Sequence, residues 1–374
     1  MAHQILEPPV QTSLQFEKII INGYEQVLKI SDKHTRLTAI ISLHNTTLGP
    51  ALGGVRIRPY ASFKEALEDV LRLSKGMTYK SAMTQAGFGG GKSVIIADPN
   101  TDKTPELLLA FGAAVDQLKG QYICAEDAGC TVEDVKMIRR ATKYVVGLPN
   151  AKSSGDPCAF TAWGVYRGMQ AVMKILFGTD SLAGRSVAIQ GLGGVGSRLA
   201  EYLFWAGADL TLSDLNSPKV KQLADKFGAK IKSVDQILQT ECDILAPCAL
   251  GGIVNDETLP LFQCRSIAGA ANNQLLRESH ADDLQSRGIL YAPDFVINAG
   301  GLLNVTAELE EQGYNPTSAR LKTHNIYDTL LAIYDIAEKN GESTHAAAIA
   351  LANYRVQYGV GKRTIAPTFH HVAE

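Results

Sequence analysis

No run in this sequence approaches the roughly 20 consecutive apolar residues that a membrane-crossing helix needs. The opening segment MAHQILEPPVQTS lacks a basic start leading into an apolar stretch. It does not read as a secretory leader, and the expected address is the cytoplasm. Charge of one sign is also missing: 36 Lys and Arg stand against 38 Asp and Glu, a net charge of -2. Nothing in that balance invites nucleic acid or a lipid surface as partner. Cysteine is sparse, and its six copies (Cys124, Cys130, Cys158, Cys242, Cys248 and Cys264) form no CxxC pair and have no spaced histidine companions. A metal site is therefore not expected, and all six read as reduced thiols in apolar settings. Internal repeats and low-complexity tracts are absent as well.

What remains is an ordinary globular composition, 45% hydrophobic and 20% charged, on a chain of 374 residues. That length favours two domains. LTAIISLHN (37–45) reads as a strand from its β-branched content. Ser62 and Glu65 form a capping box that opens a helix. KSVIIA (92–97) and QYICA (121–125) read as strands, 105–119 as a helix, and Thr131 with Asp134 as the cap of another. From residue 186 the rhythm becomes regular: strands SVAIQ (186–190), LTLSD (210–214), DILAP (243–247), SIAGA (266–270) and ILYAP (289–293), with a helix over 197–206. Apolar strands alternating with helices imply a doubly wound parallel sheet. The fold class expected is α/β in two domains: a Rossmann-type dinucleotide-binding domain over 148–341, and a second α/β domain from 1–147 plus a helical tail, 342–374, with a cleft between them. The Gly-, Pro- and Ser-rich stretch 145–160 marks the boundary.

Gly191-Leu192-Gly193-Gly194-Val195-Gly196 fits G-x-G-x-x-G between a strand and a helix, and Asp214 follows 23 residues after Gly191. The glycines permit a tight turn and close approach of a pyrophosphate, and the acid would hold the ribose hydroxyls. A carboxylate there repels a 2′-phosphate, and no arginine follows it closely, so NAD is favoured over NADP. Gly91-Lys92-Ser93 mimics the end of a P-loop, but its first glycine would fall at Ala86 and a strand follows, not a helix. Lys92 is thus free for other work. Lys80 and Lys92 flank what reads as a glycine-rich turn, SAMTQAGFGGG. Two ammonium groups held close and partly desolvated push one pKa down, which makes a lysine a general base. Glu126-Asp127 ends a strand, a position that suits active-site acids. His44, His280, His370 and His371 have no ligand-like companions and read as structural.

The blocks TLGPALGGVRIRPY (47–60), KGMTYKSAMTQAGFGGGKSVIIADP (75–99), AEDAGCTVEDV (125–135), SSGDPCAFTAWGVYRGM (153–169), APCALGGIVN (246–255), IAGAANNQL (267–275) and YAPDFVINAGGLLNV (291–305) together resemble the Glu/Leu/Phe/Val dehydrogenase family, in order and over most of the chain. The resemblance implies that the first domain binds substrate and forms a homo-oligomer, an octamer or a dimer. It implies NAD-dependent, reversible oxidative deamination of a branched-chain L-amino acid (leucine, valine or isoleucine) to the 2-oxo acid and ammonia. It assigns Lys80 to the substrate carboxylate, Lys92 to the general base and Asp127 to proton exchange with the amino group. Asn273 would touch both substrate and cofactor, Ala249 would join the glycine turn and Asp214 around the cofactor, and Gly53, Leu52, Ala125, Leu302 and Val305 would line the side-chain pocket. Two positions depart from the branched-chain pattern: Asn272 stands where an acid is expected, and Trp163 where a tyrosine is. They bear on side-chain preference, so an aromatic amino acid with the same chemistry is the alternative substrate. A catalytically silent NAD-binding protein is the reading from a different class.

Overall fold

The computed structural model describes residues 13–148 and 153–370; most of the segment read for a leader, residues 149–152 of the boundary stretch, and His371 lie outside them. By its contacts the chain divides into two units. Met1–Asp156, Val305–Asn315 and Asn353–Glu374 form the first, and Pro157–Asn304 with Pro316–Ala352 form the second.

The first unit is built on a mixed six-stranded sheet. Its elements are β1 (Gln15–Ile19), β2 (Gln26–Asp32), β3 (Leu37–Asn45), β4 (Ala51–Arg58), α1 (Phe63–Thr84), β5 (Gly89–Ile96), α2 (Pro105–Gln117), β6 (Tyr122–Glu126) and α3 (Val132–Arg139). The strand order is β1-β2-β3-β5-β4-β6, antiparallel as far as β5, with β4 parallel to both β5 and β6. Side chains alternate between the faces of a strand. One face (Ala39, Ile41, Val55, Ile57, Ile95, Tyr122, Cys124) is buried with Leu107, Phe111, Val135 and Ile138 of α2 and α3. The other face (Val27, Ile40, Val94) packs on Ala66 and Val70 of α1. Ser62 caps α1 by accepting from the Glu65 amide, and Thr131 with Asp134 forms a full capping box on α3.

The second unit holds α4 (Cys158–Phe177), β7 (Ser186–Gln190), α5 (Gly194–Trp205), β8 (Asp209–Ser213), α6 (Ser217–Phe227), β9 (Lys230–Ile231), β10 (Cys242–Pro247), β11 (Cys264–Ile267), α7 (His280–Ser286), β12 (Leu290–Tyr291), α8 (Asp294–Ile297), the start of α9 (Gly300–Thr306), α10 (Pro316–Asn340) and most of α11 (Thr344–Gln357). Its sheet is parallel throughout, in the order β12-β11-β10-β7-β8-β9. The chain order therefore reverses between β7 and β10, the arrangement of a doubly wound dinucleotide-binding sheet, whose ligands lie beyond the carboxyl ends of the strands on either side of that reversal.

The observed units differ from the sequence boundaries at 147 and 342. The first unit runs to Asp156, takes back Val305–Asn315, and regains the chain only at Asn353. The physical reason lies in the bonds of those stretches: the Gly147 and Ser154 amides donate to Glu308 and Arg363 to the Leu309 carbonyl, which holds 305–315 in the first unit, while Thr344 donates to the Tyr291 carbonyl, which holds the start of α11 in the second. Among the described residues no helix is long and apolar enough to cross a membrane.

Candidate active site

The alternation that buries Val94 against α1 puts Lys92, two residues earlier on β5, on the same face. By the same count Leu52, Gly54 and Arg56 of β4, and Ala125 of β6, face α1, with Asp127 just beyond the strand. Because β4 runs between β5 and β6, those two strands lie about 10 Å apart, twice the usual spacing. The ion pair nevertheless closes: Lys92 Nζ is 3.1 Å from Asp127 Oδ2. Gly54 makes the crossing possible. A Cβ added there would come within 2.5 Å of the Glu126 carbonyl oxygen and 2.8 Å of Asp127 Cβ, so any side chain would evict the carboxylate. Gly53 is equally confined against Gly91, and its carbonyl accepts from the Tyr122 hydroxyl at 2.8 Å.

Arg56, which the sequence reading passed over, completes the cluster. Its Nε donates to Asp127 Oδ2 at 2.9 Å and its Nη1 to Asp69 Oδ2 of α1 at 3.0 Å. Asp69 in turn accepts from the Tyr60 hydroxyl and from Arg72. The available signal was Val55-Arg56-Ile57, a charge alternating with β-branched residues, which on a strand must face away from their core. Burial drives the Lys92 ammonium pKa down; Asp127 opposes the fall and Arg56 adds to it. Burial alone would raise the Asp127 carboxyl, yet Lys92 and Arg56 hold it below the usual carboxylate range. The cation credited from sequence with depressing Lys92 was Lys80. In the structure burial is the larger cause, and Arg56 is the neighbouring cation. Of the two adjacent acids only Asp127 joins the cluster, while Glu126 is pushed up by burial with Asp156 and Asp127 nearby.

Lys80 is not beside a turn, as the glycines suggested, but inside α1, which runs on to Thr84; Gly89–Gly91 already belong to β5. Eleven residues separate it from Asp69, three turns along the same helix face. Thr78 lies against Gly90, so this end of α1 covers the start of β5. His44 makes a 2.8 Å hydrogen bond to Thr78 and His280 one of 3.1 Å to the Arg277 amide, structural roles in both cases.

In the second unit the residues singled out for a dinucleotide lie at the carboxyl ends of parallel strands. Gly191–Gly193 follow β7, Asp214 follows β8, Ala249 follows β10, and Asn273 follows β11 on the loop that accepts from the Gly252 amide. Gly193, Gly194 and Val195 open α5, whose first turn has no side-chain cap, and a Cβ on Gly193 would meet nothing within 4 Å. Gly196 is the opposite case: a Cβ there would strike the Gly191 carbonyl at 2.0 Å, so helix and turn pack directly. Asp214 accepts from the amides of Leu192 and Asn216; these bonds hold its carboxyl ionised below the usual range against the pull of burial. An open, uncapped helix N-terminus with an ionised acid one strand over fits a dinucleotide pyrophosphate and ribose. Leu302 is half-exposed and Val305 buried on α9, and the side chain of Asn272 accepts from Asn298 at 2.8 Å. Among the described residues no His, Cys, Asp and Glu group is arranged to hold a metal.

A doubly wound parallel sheet in one unit and a buried lysine–carboxylate pair in the other fit an α/β dehydrogenase. The chain belongs to the Glu/Leu/Phe/Val dehydrogenase family: models of its dimerisation domain and of the Glutamate/Leucine/Phenylalanine/Valine dehydrogenase domain match residues 22–144 and 210–360. It is 49% identical over 335 residues to a leucine dehydrogenase of Thermoactinomyces intermedius, covering 89% of this chain and 91% of that one. It is 47% identical to a phenylalanine dehydrogenase of Caldalkalibacillus thermarum, covering 90% and 92% of the two chains. The crystal structure of L-tryptophan dehydrogenase from Nostoc punctiforme matches with a TM-score of 0.81 at 45% identity, over 90% of this chain and 97% of that one. The protein is an amino acid dehydrogenase, and enzymes of this family use a nicotinamide dinucleotide.

The crossing at Gly54 gives a direct prediction. Gly54→Ala should overpack the strand at a cost of about 1–3 kcal/mol and displace Asp127. Thermal unfolding should show a lowered midpoint, and steady-state assays of the folded fraction a loss of turnover of about a hundredfold or more. Full turnover in Gly54→Ala would contradict the crossing.

Proposed function

We propose that this enzyme catalyses the reversible NAD-dependent oxidative deamination of a branched-chain L-amino acid, leucine, valine or isoleucine, to the 2-oxo acid and ammonia. The observation that carries the reading is the buried Lys92, whose ammonium is destabilised by burial yet bonded to Asp127. The pair is a base and an acid of unlike environment, which is the requirement for moving protons both ways at one carbon. Lys80 binds the substrate carboxylate as a charged partner. Asp127 takes a proton from the substrate ammonium, and the free amine then gives up its α-hydrogen. When bound, the nicotinamide supplies the acceptor for that hydride. Lys92, neutral at this stage, takes a proton from a water that adds to the iminium carbon; Asp127 returns its proton to the nitrogen, and as ammonia leaves the new hydroxyl gives its proton back to Asp127, which leaves the 2-oxo acid.

The dinucleotide would be held by Gly191, Gly193, Gly194, Val195 and Gly196, with Asp214 on the ribose hydroxyls, and Ala249 and Asn273 nearer the nicotinamide. The ionised Asp214 carboxylate favours NAD over NADP, because a 2′-phosphate beside it would meet like charge. Leu52 and Ala125, on the sheet face that carries Lys92, are the side chains of the first unit that we assign to the pocket wall, with Gly53 and Val305 of the same unit. Such a wall offers no partner to a second carboxylate, so glutamate would be buried unpaired at a cost of several kcal/mol. Among aliphatic side chains one methylene is worth only about 1–3 kcal/mol, which allows all three branched-chain substrates. The second reading, an aromatic amino acid with the same chemistry, draws on the phenylalanine and tryptophan dehydrogenases, whose identities of 47% and 45% nearly equal that of the leucine enzymes. A homo-oligomer, an octamer or a dimer, is the assembly we propose, and cysteines that form no disulfide among the described residues suit a reducing compartment such as the cytoplasm.

The test is kcat/KM for leucine, valine, phenylalanine, tryptophan and glutamate with NAD and with NADP. Leucine or a near neighbour with NAD should lead. Phenylalanine or tryptophan ahead of leucine by about tenfold would favour the second reading, and activity on glutamate alone would refute the pocket.

Lys92→Ala should keep the fold and NAD binding while kcat falls by about a hundredfold or more. Undiminished turnover in this variant would remove Lys92 from the mechanism.

A further inference from the structure

Arg56 is the one member of the cluster without a part in the reaction as proposed above, and its situation is costly. Its side chain is only 19% exposed, on a strand between the buried Val55 and Ile57. A guanidinium so placed persists only when paired, and removing it would leave its partners uncompensated. Here it is paired twice through different nitrogens, Nε to Asp127 and Nη1 to Asp69, a fork that a lysine cannot reproduce. Asp69 is itself fixed by Tyr60 at 2.8 Å and Arg72 at 2.9 Å, so the guanidinium is anchored to α1 from behind. On Asp127 both cations, Arg56 and Lys92, sit on the same oxygen, Oδ2. Among the described residues Oδ1 has no hydrogen-bond partner and is the oxygen left to exchange a proton.

We propose that Arg56 is a positioning residue for the deamination reaction: it locks the Asp127 carboxylate with Oδ1 presented to the substrate amine, and it sets the pH at which Lys92 becomes the base. The inference rests on the roles given to Lys92 and Asp127 above. The charges that face Lys92 are Asp127 from the end of β6, Arg56 from β4 and Asp69 from α1; α1 also carries Arg72 on Asp69, and Lys80 further along. Across β3, His44 is turned to Thr78. Without Arg56 two carboxylates would face Lys92 with their nearest cation gone. Both would favour the ammonium, and the Asp127 carboxyl would lose a cation as well. The pKa values of Lys92 and Asp127 would then both rise, so a reaction that needs neutral Lys92 would begin at higher pH.

The experiment compares wild type, Arg56→Gln, Arg56→Lys and Lys92→Ala, with kcat and KM measured across pH and thermal unfolding and NADH binding as controls for fold. Arg56→Gln should lower kcat by about tenfold or more and move the rising limb of kcat alkaline by about one pH unit, with KM for NAD unchanged. Arg56→Lys should bring the limb back near its wild-type position but restore kcat only in part, because one ammonium does not bond both carboxylates. A lowered kcat with an unmoved limb in Arg56→Gln would reduce Arg56 to a structural residue and overturn the proposal, as would wild-type kinetics. If Arg56→Gln does not fold, Arg56→Lys decides: depressed kcat with intact NADH binding supports the role, and wild-type kcat ends it. Lys92→Ala separates the two claims. Wild-type turnover in Lys92→Ala sinks the site assignment itself, whereas loss of turnover there with an unaffected Arg56→Gln sinks only the role of Arg56.

Discussion

The contact on which the rest of the site depends is the ion pair that reaches from β5 to the end of β6 over the middle strand, Lys92 to Asp127 above Gly54. It sets conditions on three strands at once. The outer two must hold the charges, the middle one must lack a side chain at that level, and the sheet must pair in parallel so that Gly54 comes level with Ala125, just before the acid. It also fixes the electrostatics, because a charged pair under a helix is dear to bury and is kept by added bonds and not by the pair alone. Those bonds come from Arg56, which belongs to the middle strand and so lies beside both charges.

The second unit solves a different problem by simpler means. Where the chain order of its sheet reverses, the strand ends leave a crevice, and the turn into α5 presents open backbone with no competing side chain. One unit thus offers partial charges from the backbone, suited to a phosphate group, and the other full charges from side chains, suited to the proton transfer we propose. The first kind of site is tolerant of neighbouring sequence but strict about glycine; the second is strict about which ionisable groups surround it.

That contrast explains what was legible in the sequence. The parallel strands of the second unit are continuous apolar runs because both faces are covered, and four of the five expected spans fall within a few residues of the observed strands β7, β8, β10 and β11, with Leu290–Tyr291 the short remnant of the fifth. β9 is only two residues long and exposed, so it left no pattern. The strand Leu37–Asn45 and the capped starts of α1 and α3 were readable from β-branched content and Ser or Thr caps. β4 was not, because its glycines lower intrinsic strand preference and pairing on both sides overrides that deficit. With β4 unread, nothing singled out Arg56. The glycine run before Lys92 looked like a turn for the same reason, though it is the start of a buried strand. Residue type and spacing pointed to the pairs Lys80/Lys92 and Glu126/Asp127, and only the family resemblance chose Lys92 and Asp127 among them; what a linear reading could not supply was the cation between those two, since Arg56 is brought there by sheet pairing alone.

The central claim is that Lys92 is a lysine whose neutral form is accessible because it is buried beside Arg56. Its titration can be followed directly by NMR of the enzyme carrying 13C at lysine Cε, the Lys92 signal being assigned by its absence in Lys92→Ala. The account predicts one lysine signal that titrates clearly below the ordinary value of about 10.4 and is missing from the variant. A Lys92 signal that titrates with the other lysines, or above them, would contradict it.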